Sequence, residues 1–250
     1  MRESGVAVGY FTTAGARRRT SRPCLAPPSA RRMDASDAPA PPLIDIAERE
    51  APGTPLLPTL PASIPRRGSS VTCLIGRVGL RLFGWKVIGN FPDLPKGVII
   101  VAPHTSNWDF IAGFWAYLAL DLHCNWFGKH TIFAWPFGGL FRRFGGIPIH
   151  RESKSATQVV DLFAEEFAKR PQMYLAIAPE GTRKKVAEWK SGFYRIAMRA
   201  NVPVIPVALD YRLSRVILGA PFTPTGAWER DIVRIKALFD GITARIPDQF

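Results

Sequence analysis

From residue 71 onward the apolar positions follow two different periods. Three short and almost wholly apolar runs, GVIIVAP at 97–103, MYLAIAP at 173–179 and VPVIPVAL at 202–209, predict buried strands. Between and after them the spacing becomes helical. A first helix is expected over 108–122 and a second over 157–169, where Val160, Phe163, Ala164 and Phe167 share a face while Glu165, Glu166 and Lys169 point elsewhere. A third spans 191–200, with Ser191 as its N-cap and Asn201 and Pro203 as its stop. The last runs over 228–246, because Trp228, Ile232, Ile235, Phe239, Ile242 and Ile246 step by four and three. Strands alternating with helices predict an α/β fold: a single domain, residues 71–250, with a largely parallel central sheet flanked by helices. No internal repeat is visible.

The start of that domain is a helix of two readings. Val71, Leu74, Ile75, Val78, Leu82 and Trp85 form one apolar stripe, with Arg77 and Arg81 along its flank. Such a helix suits a membrane interface, where arginine stems lie against apolar surface while their guanidinium groups reach phosphates. It equally suits a terminal helix packed on its own domain. Upstream, residues 1–70 hold 11 of the 23 prolines and 10 arginines against 6 acids. Proline at that density blocks helix and ladder formation, so 1–70 is expected to be a disordered tail. Residues 1–33 carry seven arginines and the single acid Glu3. That fits an organelle-targeting segment, or an upstream stretch that is not made if translation starts at Met33.

Composition narrows the partners. Lys plus Arg number 33 against 20 acids, a net charge of +13, which suits an anionic partner. Three scattered cysteines, Cys24, Cys73 and Cys124, make neither a disulfide framework nor a zinc cage. The longest uninterrupted apolar run, 110–120, has 11 residues, about 16 Å as a helix against roughly 30 Å of hydrocarbon. Membrane contact, if made, is therefore peripheral. Residues 126–144 supply seven large aromatics with Lys129, Arg142 and Arg143 nearby, a composition that fits either a headgroup boundary or a core.

Candidate chemistry sits at strand ends, where open α/β sheets carry their sites. His104 follows the first strand, with Asp109 five residues on. Along a continuous helix those side chains diverge by ~140°, so they meet only if His104 precedes the helix start. Asp109 would then accept from Nδ1–H and leave Nε2 as a base. After the second strand comes APEGTRKK at 178–185. Gly181 admits close backbone approach to an anion, Thr182 adds a hydroxyl, and Arg183 offers a planar fork for phosphate. Glu180 either orders that arginine or accepts from a substrate hydroxyl. In FRRFGGIPIHR at 141–151, Arg151 is a second phosphate candidate, and His150 reads as an ordinary surface histidine.

Together these blocks resemble the glycerolipid acyltransferases, typified by 1-acylglycerol-3-phosphate acyltransferase. PHTSNWD matches the family's first block at His104, Ser106 and Asp109; GGIPIHR keeps Gly146 and Arg151 of the second; Pro179, Glu180, Gly181, Thr182 and Arg183 match the third; VPVIPVA matches the fourth around Pro206. The order is the family's, over roughly residues 85–215. Pro103, His150, Pro148, Ala178 and Lys184 depart from its usual residues, mostly around the acceptor site. The resemblance implies an acyltransferase-like fold in which His104, held by Asp109, deprotonates a glycerol hydroxyl that attacks acyl-CoA or acyl-carrier protein. It implies that Ser106, Arg151, Glu180, Gly181, Thr182 and Arg183 bind substrate, with no metal or cofactor. The expected partners are an acyl thioester, a lysophospholipid acceptor and a membrane surface, at the cytoplasmic face and without nucleic acid. The first-choice acceptor is 1-acylglycerol-3-phosphate, giving phosphatidic acid. Alternatives are a zwitterionic or amino-acid lysolipid, an inactive membrane-binding relative, and a thioesterase.

Overall fold

A computed structural model describes residues 40–136, 138–149 and 155–250. Among them seven strands form one sheet: β1 (Lys86–Gly89), β2 (Lys96–Ala102), β3 (Cys124–Lys129), β4 (Gly146–Ile149), β5 (Met173–Ile177), β6 (Val204–Asp210) and β7 (Arg215–Leu218). Their order is β1-β7-β6-β2-β5-β3-β4. All pairings are parallel except β6 with β7, a hairpin whose turn is eased by Ser214 at φ 55°. The expected largely parallel α/β architecture is what the chain adopts.

Period-two alternation sends each strand's apolar residues to both faces. From β2, Val98, Ile100 and Ala102 join one core and Ile99 the other. The first core is closed by Leu43 and Ile44 of α1 (Leu43–Glu48), Phe163 and Phe167 of α5 (Ala156–Lys169), Phe193 and Ile196 of α6 (Gly192–Ala200), and Ile235 of α7 (Trp228–Ala237). The second is closed by Leu80 of α2 (Ser70–Leu82), by Ala112, Ala116 and Ala119 of α3 (Asn107–Ala119), and by Leu60 and Ile64. A short helix α4 (Gly138–Arg143) lies between β3 and β4. Because β2, β5 and β6 run parallel, their carboxyl ends share one edge of the sheet, and β4 ends there too through β3.

The helix of two readings resolves unexpectedly. α2 packs on α3 through glycines: a Cβ on Gly76 would lie 2.3 Å from the backbone nitrogen of Ala119, and one on Gly79 would overlap the ring of Trp115. Only Gly76, Gly79 and Leu80 of α2 are buried. Most of the expected stripe faces solvent, with Val71, Leu74, Ile75, Val78 and Leu82 exposed and Leu82 at 79%, whereas Trp85 lies past the helix end and is buried in the second core. Docking on the domain and presenting an outward apolar face are therefore both true of one helix.

Two expectations need correction. The last helix stops at Ala237 rather than 246, because Gly241 takes φ 78° and the chain turns back so that Tyr211 N–H donates to Thr243 O. Phe239 and Ile242 stay in the core without helical continuation. The boundary at residue 70 is also too late. The compact unit runs Pro39–Phe250, and Leu43, Ile44, Leu60 and Ile64 are buried in its cores. After α1 the prolines leave a stretch with no strand of its own, held to the domain by buried Leu60 and Ile64 and by backbone bonds such as Val87 N–H to Leu56 O and His123 N–H to Pro65 O. The readings of residues 1–33 and of Met33 lie outside the described residues.

Candidate active site

His104 lies two residues past β2, ahead of α3, as the spacing required. Ser106 is the N-cap of α3: its Oγ accepts from Trp108 N–H at 3.1 Å, and Asp109 completes a capping box. Such a cap is worth about 1 kcal/mol. Asp109 Oδ2 accepts from Thr105 N–H and Ser106 N–H, each at 2.6 Å, so the carboxylate ties the whole turn. His104 Nδ1 lies 3.7 Å from the same Oδ2, an ion-pair distance rather than a hydrogen bond. Burial holds the His104 pKa below its ordinary 6.5, with Asp109 opposing and the Arg183 guanidinium adding to the effect. The imidazole is thus neutral at pH 7 and able to take a proton.

Glu180 belongs to this loop rather than to Arg183. Its Oε1 accepts from His104 N–H at 3.0 Å, joining the β5 end to the β2 end. Its Oε2 is buried without a hydrogen-bond partner, and burial, aided by the Asp109 charge, raises the carboxyl to about 7. Gly181 takes φ 65°, which glycine adopts without a Cβ penalty, and its missing Cβ leaves room for the Lys190 side chain. Thr182 is half-buried, its Oγ1 accepting from Lys184 N–H at 3.4 Å. Arg183 is exposed and has no carboxylate partner among the described residues. Arg151 and His150 lie outside the described residues, just beyond β4.

The arrangement therefore collects an imidazole, a buried carboxylate behind it and an exposed guanidinium, without a carboxylate partner among the described residues, at one sheet edge. A profile of the family described as "Acyltransferase" matches residues 87–210, the stretch holding all three. Residues 87–210 are thus a segment of the acyltransferase family. Two curated distant homologues, the 1-acyl-sn-glycerol-3-phosphate acyltransferases of Salmonella typhimurium and Salmonella typhi, are each 27% identical over 162 residues. Those alignments cover 62% of this chain, which spans 64% of the relatives' length. The solved 1-acyl-sn-glycerophosphate (LPA) acyltransferase PlsC of Thermotoga maritima is 22% identical, with a TM-score of 0.46 over 67% of this chain and 75% of that one.

The acyltransferase segment ends at Asp210, and two residues touching the site lie beyond it, one directly after and one near the last residue. Tyr211 Oη donates to Asp109 Oδ1 at 2.7 Å. The Gln249 carboxamide faces the carbonyls of Thr105 and Arg183, so its NH2 bridges the two loops. Sequence reasoning missed both. Tyr211 was accessible to the same strand-end argument that singled out His104, since it directly follows β6; Gln249 carried no local signal.

Proposed function

We propose that this protein transfers an acyl group from the thioester of acyl-CoA or acyl-carrier protein to the free hydroxyl of a lysophospholipid, with 1-acylglycerol-3-phosphate as the acceptor. The observation that carries this reading is geometric: His104 Nδ1 lies 3.7 Å from the buried Asp109 carboxylate, with Arg183 exposed near enough to disfavour a charged imidazole. Nε2 of His104 takes the acceptor's hydroxyl proton as the oxygen attacks the thioester carbonyl. The C–S bond then breaks, and the thiolate leaves with the proton carried by the imidazolium. Asp109 offsets the transient positive charge on that ring. Arg183, with Arg151 beyond β4, clamps the acceptor phosphate, and Gly181 and Thr182 line its approach.

The lipid acceptor comes from a bilayer, and the protein presents a surface suited to one. Among the described residues no helix is long and apolar enough to cross a membrane. The exposed stripe of α2 continues through Phe83 to Trp108, the two rings 6.2 Å apart. Ile132 and Trp135 are exposed as well, while Phe133 of the same aromatic stretch is buried. A cleft of mixed character opens beside this rim, with Trp85, Trp108 and Trp115 suited to an acyl chain and Tyr211, Ser214 and Arg245 supplying its polar lining. The reading is peripheral attachment through α2 and the aromatic rim.

The test is transfer of labelled acyl-CoA to a panel of lysolipids. His104→Ala should lose at least a hundredfold in rate; retention of more than about a tenth would remove His104 as the base. Arg183→Lys keeps charge but loses the fork, so it should raise KM for lysophosphatidic acid about tenfold. Unchanged kinetics in that variant would remove the phosphate clamp.

A further inference from the structure

Asp109 is held from two sides, and one side is not part of the helix cap. Its Oδ2 carries the two backbone bonds from Thr105 and Ser106. Its Oδ1 has only Ser106 Oγ, at 3.3 Å, from its own turn, and the short bond to that oxygen comes from Tyr211, 102 residues away. Tyr211 is itself fixed. Its backbone N–H donates to Thr243 O at 2.9 Å. Its ring meets Trp85 edge-on at 4.9 Å, and the Arg245 guanidinium lies over it at 5.8 Å. The preceding Asp210 accepts from Leu213 N–H and Thr243 N–H, which locks the backbone beneath the ring.

We propose that Tyr211 is a positioning residue for the acyl transfer: its hydroxyl pins Oδ1 of Asp109 so that Oδ2 stays turned toward His104. This rests on the reading of His104 and Asp109 as the proton-transfer pair. The choice of a phenol has a physical reason. A lysine or arginine at this point would cancel the carboxylate charge needed by the imidazolium, whereas a neutral donor satisfies Oδ1 and leaves that charge in place. Burial, followed by the bond to Asp109, raises the Tyr211 pKa, so the hydroxyl remains a donor at any pH at which the protein works. Pinning matters because proton transfer tolerates little misplacement of the base.

Tyr211→Phe removes the hydroxyl and keeps the ring against Trp85. It is assayed in the full chain, well below its own melting temperature and beside His104→Ala, with acyl-CoA and lysophosphatidic acid varied separately. The expected result is a fall in kcat of about tenfold with both KM values within about twofold of wild type. A residue needed only for packing would show no such loss in the phenylalanine variant. A kcat within twofold of wild type, or a loss carried by KM instead, overturns the proposal. An inert His104→Ala beside a fully active Tyr211→Phe removes the Tyr211 assignment alone. An active His104→Ala removes the base assignment, and this one with it.

Discussion

α2 and α6 are both amphipathic helices on this domain, yet they place their apolar faces in opposite directions. α6 turns Phe193, Ile196 and Ala197 into the sheet, each at 1% exposure. α2 turns Val71, Leu74, Ile75, Val78 and Leu82 to the outside and meets its neighbour through Gly76 and Gly79. The difference lies in what each helix packs against. α6 covers an open β-sheet face, which needs large side chains to fill it. α2 packs on α3, which itself covers the sheet, and there close backbone approach through small residues gives the contact. An apolar stripe therefore says that a helix has something to bury, and the glycines say which side is already taken.

The comparison breaks most severely in α6. Ile196→Asp places an unpaired charge in the sheet core, where Ile196 is 1% exposed. Such a charge costs several kcal/mol, and at ~2–4 °C per kcal/mol for a domain of this size the melting temperature should fall by roughly 10 °C or more. Calorimetry that found a shift of only a degree or two would mean that α6 is not packed as described.

A second break strikes the glycine contact. In Gly76→Val the new side chain meets the backbone of Ala119, which cannot move aside as a flexible side chain would. The expected loss is about 1–3 kcal/mol of stability, read as a lower denaturation midpoint, with α2 displaced from α3. If the variant is as stable as wild type, α2 does not sit on α3 through Gly76.

The same contrast shows what was legible in the sequence. The three apolar runs that became β2, β5 and β6, and the helices α5 and α6, could be read because their periods match full or one-sided burial, as at Val98 to Ile100 and Phe163 to Phe167. β1, β3, β4 and β7 were not read, because their apolar runs are only one to three residues long, as at Val87–Ile88, Trp126–Phe127 and Val216–Leu218. At the site, His104, Asp109 and the 180–183 loop stood out as motifs within one turn of a strand end. Tyr211 and Gln249 reach those loops across 102 and more than 140 residues of chain, and single-sequence periodicity carries no information about such contacts. The outward face of α2 was ambiguous for the same reason: the stripe is local, but the partner that claims the glycine side is α3.

The outward stripe can be tested without touching the fold. Leu74 is 61% exposed and Leu82 79%, so Leu74→Glu with Leu82→Glu should change stability by no more than about 0.5 kcal/mol. Burial of even part of two leucines at a headgroup boundary is worth more than 1.4 kcal/mol, so cosedimentation with lipid vesicles should weaken at least tenfold. A double variant that melts like wild type and still binds vesicles like wild type would show that this face is not the membrane contact.

The smallest effect belongs to the arginines beside the stripe. Arg77 and Arg81 are exposed and have no ion-pair partner among the described residues, leaving their guanidinium groups available to phosphates. A basic residue at an anionic surface contributes about 1 kcal/mol, screened within a Debye length of ~10 Å at 0.1 M salt. Arg77→Gln and Arg81→Gln should therefore each weaken binding to vesicles rich in anionic lipid about fivefold at low salt. The loss should shrink as salt is raised and be absent on purely zwitterionic vesicles, where only the apolar stripe acts. Equal losses on both vesicle types would mean that the arginines hold α2 in place rather than contact lipid. The outward face would then owe its attachment to its apolar residues alone.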